Sequence, residues 1–484
     1  MSPPARLSRR DACKSIAAAS LAPFAGNLWS ATTETTPVDV TVIGAGLSGL
    51  NAALILEELG ARVRVLEGRS RVGGRVYTRF DLPGHPEVGA NSMGGGYGRT
   101  IDIAGRMGLP LIDMAPRFRA ALGRSEVLLR GQRIDPETWS RSSLNPFPEP
   151  LRKLLPPAVV PVLMSKHNPL QSPTQWLDAD KAALDVSMFE ALRALGLNEA
   201  AIELAYNQNV SYGNSAHDVS ALMFYFVDAW SRAQARVAPT APVVGGGNQK
   251  LPTAMAAALK GPVILGSEVV AIDQDENQVT LSCRDGSRFR SRYVLSSLPA
   301  ATLRNVRLDP VLPGGQARAV QTLPYMQVSL VFLNVRKRFW EADGLSASMW
   351  SDGPAGMVMA QHFGDRDDEV TNFVCSLRGW KAAYMDRLGA ETAQRLVIAD
   401  IEKARPAARG ALKPAGYHSW ALDPFAGGDW AVFQPGRLQA DLSVLALPHG
   451  RMHFCGEHTA TANRGMEAAM ESGERAAMEL VQRL

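Results

Sequence analysis

Three glycines and one glutamate near the start of the sequence are spaced for binding a dinucleotide. Gly44, Gly46 and Gly49 follow an apolar run, and Glu67 ends a second apolar run. The first glycine permits a tight turn, the second lets the backbone approach a pyrophosphate, and the third lets a helix pack closely on a strand. A carboxylate at the end of the second run is placed to accept hydrogen bonds from ribose hydroxyls.

The elements that must position these residues form a strand–helix–strand unit. The sequence predicts a strand at Val38–Ile43, a helix ending at Leu59 and a strand at Val63–Leu66. The N-terminus of such a helix offers unpaired N–H groups and the positive end of its dipole to phosphate. Since strand, helix, strand and acidic residue occur in this order, a dinucleotide site is favoured over a tight turn without a ligand.

Two further motifs, near opposite ends of the chain, resemble those of one family. In Arg71–Arg75, two glycines between two arginines indicate a second approach of backbone to phosphate, flanked by charges. Residues 453–460 and 465–477 form a strand–loop–helix pattern. Together these segments resemble the FAD-binding signature of the flavin-containing amine oxidase superfamily. That superfamily includes monoamine, polyamine and L-amino acid oxidases and, more distantly, phytoene-desaturase-like enzymes.

The resemblance implies a fold of the α/β (α+β) class with two domains. A Rossmann-like FAD-binding domain is expected from residues 38–110, 241–300 and 426–484. An inserted substrate domain of mixed sheet and helix is expected from residues 111–240, which are mainly helical in pattern, and 301–425. The residues that the resemblance assigns to FAD are Gly44, Ala45, Gly46, Gly49, Glu67, Gly68, Arg69, Gly74, Arg75, Gly89, Ala90, Asn91, Val269, Gly456, Glu457 and Met466.

Periodicity predicts several elements in the middle of the chain. A helix-like aromatic run spans Ser215–Ala235, and its side chains are expected mainly in the core, with lining of a pocket as the alternative. Strands are predicted at Val279–Cys283, Arg292–Leu298 and Val328–Val335, and an amphipathic helix at Ala390–Ala404.

Residues near the C-terminus are expected beside the flavin ring. A helix beginning near Met466 would direct its N-terminus to the flavin's pyrimidine edge and stabilise the negative charge that develops on reduction. Trp430 matches one position of the family's aromatic cage, whereas the second position falls on Gly465. In covalently flavinylated members a cysteine stands where Asp429 stands, so the resemblance implies non-covalent FAD.

Two departures from the family pattern bear on the reaction. Many members carry a lysine near flavin N5 that is implicated in oxygen reactivity, and its place here falls on Leu330. This predicts slow reaction with O₂ and transfer of electrons to another acceptor, such as a periplasmic cytochrome or quinone. L-amino acid oxidases bind the substrate carboxylate with an arginine shortly after the stretch matching Glu87–Ala90, but the first arginine here is Arg99. This favours an amine without a carboxylate, although an arginine from another element would serve equally.

The resemblance therefore predicts an FAD-dependent amine oxidase or dehydrogenase. Such an enzyme takes a hydride from the carbon next to nitrogen onto flavin N5 and gives an imine that hydrolyses to an aldehyde or ketone. The alternatives are an L-amino acid oxidase or a desaturase-like dehydrogenase, and a binding protein of the same fold without flavin. The chemistry needs no protein nucleophile or metal, and the scattered histidines suit neither role.

Composition limits the class of partner. The chain has 484 residues, of which 46% are hydrophobic and 20% charged, with a net charge of +4. This charge is too small to indicate nucleic acid or a membrane surface as partner. The four cysteines form no pattern typical of a metal site or a disulfide framework. A homodimer is compatible with the resemblance.

The first 31 residues resemble a bacterial Tat export signal. Ser8–Asp11 contains twin arginines and precedes the alanine-rich apolar run Ile16–Ala25, with Ala31 as a plausible last residue of the leader. The alternative is a disordered basic N-terminus. The apolar run is too short to span a membrane, and no other stretch is long enough. The mature protein is therefore expected in the periplasm or outside the cell.

Overall fold

The computed structural model describes residues 33–34, 38–122, 125–363, 366 and 369–484. The predicted leader at residues 1–31 lies outside this range.

A five-stranded parallel sheet forms the centre of the part that is predicted to bind a dinucleotide. Its strands, in spatial order, are Met452–Phe454, Tyr293–Ser296, Val40–Ile43, Val63–Leu66 and Val263–Ile264. The two strands of the glycine motif are buried along their whole length, as expected for a parallel sheet covered on both faces. Three distant parts of the chain therefore meet in one sheet, while the two-domain boundaries stay a prediction.

Two helices pack tightly beside this sheet. Leu47–Glu58 follows the glycine turn, and Gly465–Val481 lies near the C-terminus. The close contact between the two helices requires glycine at position 473, because a Cβ there would lie 2.4 Å from the carbonyl oxygen of Ser48. The Asn51 side chain also donates to the carbonyl of Met470 at 2.9 Å. The two ends of the chain are thus joined next to the predicted phosphate site.

A seven-stranded sheet forms the opposite part of the molecule. Its strands, in spatial order, are Leu412–Ser419, Val328–Val335, Asn372–Arg378, Met357–Gln361, Met349–Ser351, Glu126–Leu129 and Gln132–Arg133. Neighbours are antiparallel except the parallel pair of Met349–Ser351 with Glu126–Leu129. Helices Trp380–Leu388 and Ala390–Ala404 pack on one face, over Val331 and Leu333. Since side chains alternate along a strand, Leu330 and Phe332 belong to the other face.

The remaining elements surround these two sheets. A further sheet has the order Thr33–Glu34, Arg288–Ser291, Val279–Cys283, Val269–Gln274 and Arg307–Asp309, and Leu111–Asp113 pairs with Pro242–Val244. The other α-helices are Gly98–Arg106, Ala115–Leu122, Pro156–Lys166, Met188–Ala194, Glu199–Ala205, Ala221–Val237, Lys250–Ala258, Ala300–Leu303, Gly314–Thr322, Phe339–Asp343 and Leu438–Leu445. Short 3₁₀ turns lie at Trp139–Arg141, Leu151–Lys153, Pro173–Leu177, Ala179–Leu184, Asn207–Asn209, Pro406–Ala408 and Glu457–Thr459. None of the described helices has the length and apolar character needed to cross a bilayer.

One predicted helix starts later than expected. The run that begins at Ser215 becomes helical only at Ala221. The Asp218 carboxylate accepts backbone N–H bonds from Asn214 and Ser215, which fixes a loop, and Ser220 then caps the helix. The predicted start of the helix was wrong because the spacing of apolar residues carries no information about such capping.

Candidate active site

A cavity of about 820 Å³ runs between the parallel sheet and the seven-stranded sheet. It extends from the glycine turn at Gly44 and Gly46 to the aromatic residue Trp430. Every residue that the sequence assigned to FAD lines this cavity, apart from Ala45 and Gly49. These two residues contact the protein instead: Ala45 donates its N–H to Glu67, and Gly49 lies against the carbonyl oxygen of Gly44.

The three glycines of the turn meet three different steric demands. Gly44 has φ +98°, and a Cβ there would lie 2.4 Å from Ser297 Oγ. At Gly49 a Cβ would lie 2.1 Å from the carbonyl oxygen of Gly44, so helix and turn are in direct backbone contact. Around Gly46 a Cβ would meet no heavy atom within 4 Å, because this residue faces the open cavity. The backbone at Gly46 is therefore free to approach a ligand.

Glu67 is held rigidly at the cavity wall. One carboxylate oxygen accepts the N–H of Ala45 at 2.8 Å, and the other accepts the N–H of Arg69 at 2.9 Å. Each oxygen keeps a second lone pair. The side chain thus both closes the turn and presents acceptors for a hydroxyl group in the cavity.

The two arginines of the second glycine motif have different roles. Arg71 donates to backbone carbonyls of its own loop, at Val72, Gly74 and Val76, and it does not line the cavity. The donors of Arg71 are therefore used in shaping the loop, and its place beside a phosphate stays a prediction. Gly73 donates to the carbonyl of Ala45 at 2.7 Å, which places this loop directly against the first turn.

Arg75 joins three segments at the centre of the cavity. It forms an ion pair with Glu457 at 3.0 Å and donates to the backbone carbonyl of Asp429. Glu457 in turn accepts the N–H of Ala431 at 3.0 Å. Burial alone would raise the pKa of Glu457, but the adjacent Arg75 guanidinium lowers it below the ordinary value. The C-terminal motif is thereby fixed to the loop that carries Trp430.

Aromatic rings surround the far end of the cavity. The ring of Tyr212 lies 5.8 Å from that of Trp430 at an angle of 41°. Gly465 has φ +58°, and a Cβ there would lie 3.4 Å from the hydroxyl of Tyr97. The second cage position thus holds no aromatic side chain, and Tyr212, which the sequence analysis did not select, is the ring next to Trp430. Trp230, in the aromatic run expected mainly in the core, also lines the cavity.

Asp429 lines the cavity beside Trp430 and is half-buried. Burial raises the pKa of this carboxyl to about 6, although the nearby Arg75, Arg378 and Arg464 act in the opposite direction. The described residues that line the cavity include no cysteine, since Cys455 is buried outside the lining.

The seven-stranded sheet closes the cavity with alternate residues of three neighbouring strands. These residues are Val328 and Leu330, Met359 and Gln361, and Val374, Ser376 and Arg378. Leu330, at the position expected for a lysine, therefore faces the cavity as an apolar side chain. No lysine occurs among the described residues that line the cavity, and the described residues contain no group of His, Cys, Asp and Glu placed to hold a metal ion.

Two arginines missed by the sequence analysis also line this end. Arg378 ends the strand Asn372–Arg378, and Arg464 precedes the helix Gly465–Val481. Arg99, the first arginine after the Glu87–Ala90 stretch, is instead paired with Glu467 and Glu474.

Comparisons with known proteins identify the family. The family model of the flavin containing amine oxidoreductases matches residues 47–481. Human amine oxidase [flavin-containing] B is 28% identical over 482 residues, covering 92% of this chain and 86% of that protein. An L-amino-acid oxidase of Bothrops moojeni is 24% identical over 475 residues, covering 93% and 90%. The structure of cyclohexylamine oxidase from Brevibacterium oxydans shares the fold, with a TM-score of 0.73 at 21% identity over 93% of this chain and 99% of that one. The chain belongs to the flavin-containing amine oxidoreductase family, and its cofactor is FAD.

Proposed function

We propose that the protein oxidises an amine at the carbon next to nitrogen and releases an imine, which water converts to an aldehyde or ketone. The observation that carries this proposal is the single cavity that joins the dinucleotide turn at Gly46 to the aromatic end at Trp430. The chemistry that FAD supplies when bound is acceptance of a hydride at N5. The remaining requirements of the reaction fall to the residues of the cavity.

The residues present fit FAD at both ends of the cavity. Gly46 leaves open space beside the first N–H groups of the helix Leu47–Glu58, which has no acidic residue in its first turn. This is the arrangement that attracts a pyrophosphate. Glu67 supplies the acceptors for ribose. At the other end, Gly465 and Met466 bring a second helix N-terminus to the cavity wall, where it favours negative charge.

The substrate end suits a neutral amine. Trp430 and Tyr212 are large side chains that exclude water from the cavity end and offer π faces to the substrate. Arg378 and Arg464 add positive charge, which disfavours the ammonium form of a substrate and favours the neutral amine that loses the hydride. We propose Trp430 as the residue that orients the substrate.

We propose that FAD is held without a covalent bond and is reoxidised mainly by an acceptor other than O₂. Asp429 stands where covalently flavinylated relatives have cysteine, and a carboxylate forms no thioether. Leu330 places no positive charge near the flavin to assist reduction of O₂. With the Tat-like leader, this favours a periplasmic electron acceptor such as a cytochrome, and O₂ with release of peroxide is the alternative. A homodimer remains compatible with the family.

Product analysis tests the proposed reaction. The purified protein is supplied with a panel of primary amines and a dye acceptor, and ammonia and aldehyde are measured together with dye reduction. We expect one ammonia per two electrons transferred. Electron transfer without ammonia would indicate desaturation of a C–C bond instead and would overturn the proposal.

A further inference from the structure

In the part of the chain that the structure describes, five arginines line the cavity, and their partners separate them into two groups. Three are paired with carboxylates: Arg69 with Asp423 at 2.6 Å, Arg75 with Glu457 at 3.0 Å, and Arg284 with Glu268 at 2.6 Å. The other two, Arg378 and Arg464, form no ion pair with any described residue, and both lie at the substrate end. A cation without a counter-charge in such a place is costly for the folded protein.

Arg378 has free donors at the cavity wall. Its Nε donates to Ser376 Oγ at 3.0 Å, and the two terminal nitrogens have no acceptor among the described residues. Burial lowers the pKa of Arg378, while Asp429 and Tyr212 act in the opposite direction. The backbone of Arg378 pairs across the sheet with Val328, which fixes the point from which the side chain extends.

Arg464 is held by stacking rather than by hydrogen bonds. Its guanidinium carbon lies 4.3 Å from the ring centre of Tyr212 and 5.1 Å from that of Trp430. Stacking uses the faces of a guanidinium and leaves the N–H groups at its edge available. The absence of a side chain at Gly465 leaves space next to it. No described residue accepts a hydrogen bond from Arg464.

Asp429 does not balance these two charges. Both arginines act on the pKa of this carboxyl, but among the described residues Asp429 makes no ion pair with either, and burial raises its pKa to about 6. The substrate end therefore keeps an excess of positive charge of at least one unit. An anion brought in by the substrate would supply the missing counter-charge, and a guanidinium binds a carboxylate through two parallel hydrogen bonds.

The geometry points to a carboxylate subsite: Arg378 and Arg464 bind the carboxylate of the substrate, so that the amine oxidised is carried by an amino acid or a similar amino carboxylate. This inference rests on the proposed function and names its substrate class. It replaces the sequence-based expectation of an amine without a carboxylate, which considered only the segment after Ala90. The arginines come instead from a strand end and a helix start far along the chain.

Matched substrate pairs test the subsite in the FAD-loaded protein. Phenylalanine and 2-phenylethylamine differ only in the carboxylate, as do lysine and cadaverine. Flavin reduction is followed without oxygen at varied substrate concentration. We expect the wild-type protein to prefer the amino acid of each pair. If the protein prefers the amine without the carboxylate in both pairs, the inference is overturned and the proposed function stays intact. If no member of either pair reduces the flavin, the proposed function itself is overturned.

The variant Arg378→Met distinguishes a loss of carboxylate binding from an effect on every substrate. We expect the phenylalanine concentration that gives half-maximal flavin reduction to rise roughly 10- to 100-fold, because a charge-assisted hydrogen bond is lost. The corresponding concentration of 2-phenylethylamine should stay within about threefold of the wild-type value. Arg378→Lys should recover part of the loss. Arg307→Met is the matched control, because Arg307 is an exposed arginine paired with Asp273 away from the cavity. Equal effects of Arg378→Met on both substrates would overturn the inference.

Binding of an inert carboxylate gives a second readout. Benzoate carries the anion but no oxidisable amine, and its binding is followed by the change in the visible flavin spectrum. We expect benzoate to bind to wild type and to Arg307→Met, and to bind roughly 10- to 100-fold more weakly to Arg378→Met. Removing this unpaired cation should not lower the Tm. A Tm several degrees lower with unchanged benzoate binding would indicate a structural role and contradict the inference.

Discussion

Gly46 and Gly49 belong to one motif, but their replacement by alanine should affect different properties. Gly46→Ala should weaken FAD binding, and Gly49→Ala should lower the stability of the apoprotein. A Cβ at Gly46 would meet no protein atom within 4 Å, and the backbone there has φ −75° and ψ 173°, which alanine adopts freely. A Cβ at Gly49 would lie 2.1 Å from the carbonyl oxygen of Gly44 and 2.9 Å from Ser297 Oγ. The first methyl group therefore enters the ligand's space, and the second enters the protein's own.

The magnitudes follow from these distances. For Gly46→Ala, the loss of a favourable cap residue and the lower entropy of the unfolded chain offset each other, so the apoprotein should change by no more than about 0.5 kcal/mol. The methyl group would keep the pyrophosphate from the backbone N–H groups, which costs about 1.5–3 kcal/mol per charge-assisted bond and weakens FAD binding roughly 10- to 100-fold. For Gly49→Ala, the backbone must move, which costs about 1–3 kcal/mol in the apoprotein.

Two measurements on each variant distinguish the effects. Thermal unfolding of the apoprotein gives stability, and titration with FAD, followed by quenching of its fluorescence, gives affinity. We expect Gly46→Ala to keep the wild-type Tm and lose FAD affinity, and Gly49→Ala to lower the Tm by several degrees. Wild-type affinity for FAD in Gly46→Ala, or equal loss of apoprotein stability in both variants, would refute the assignment of the turn to the pyrophosphate.

Three further substitutions test the substrate end. Trp430→Ala should lower the second-order rate of anaerobic flavin reduction roughly 10- to 100-fold, because a large apolar contact with the substrate is lost, while FAD affinity stays within about threefold; an unchanged rate would contradict its role. Leu330→Lys should raise the rate of reoxidation by O₂ by about one to two orders of magnitude, the scale of one well-placed charge, as measured by stopped-flow absorption; fast reoxidation of the wild type would contradict the proposed acceptor. Since burial raises the pKa of Asp429 from 3.8 to about 6, the folded apoprotein holds this proton more tightly than the unfolded chain, and its contribution to stability falls as the pH rises from about 4 to about 6. In the Asp429→Asn apoprotein, this fall in the unfolding free energy should be absent. If wild type and Asp429→Asn show the same dependence of unfolding free energy on pH, the raised pKa is contradicted.

The glycine turn could be predicted from the sequence because local steric demands fix its residue types. Gly44 has a positive φ, Gly49 touches backbone, and the strand and helix that flank them have regular periodicity. The predicted strands Val63–Leu66 and Val328–Val335 are confirmed with the same limits. Each of these features depends on residues close together in the chain.

The charges at the substrate end could not be predicted in the same way. Arg378 reaches the cavity because its strand pairs in one register with Val328, and a shift by one residue would turn it to the opposite face. Tyr212 lies in a loop that the Asp218 carboxylate shapes. Arg71 looked equivalent to Arg75 in the motif, yet its donors go to its own loop. Such outcomes depend on tertiary contacts that a single sequence does not display.

The most direct test of the central claim is the visible absorption spectrum of the purified mature protein. It is recorded before and after anaerobic addition of the amine and amino acid panel. We predict a yellow protein whose flavin absorption is bleached by at least one of these substrates, and whose colour passes into the supernatant after acid precipitation. A protein that stays colourless even after incubation with FAD, or a bound flavin that no member of the panel bleaches, would contradict the account.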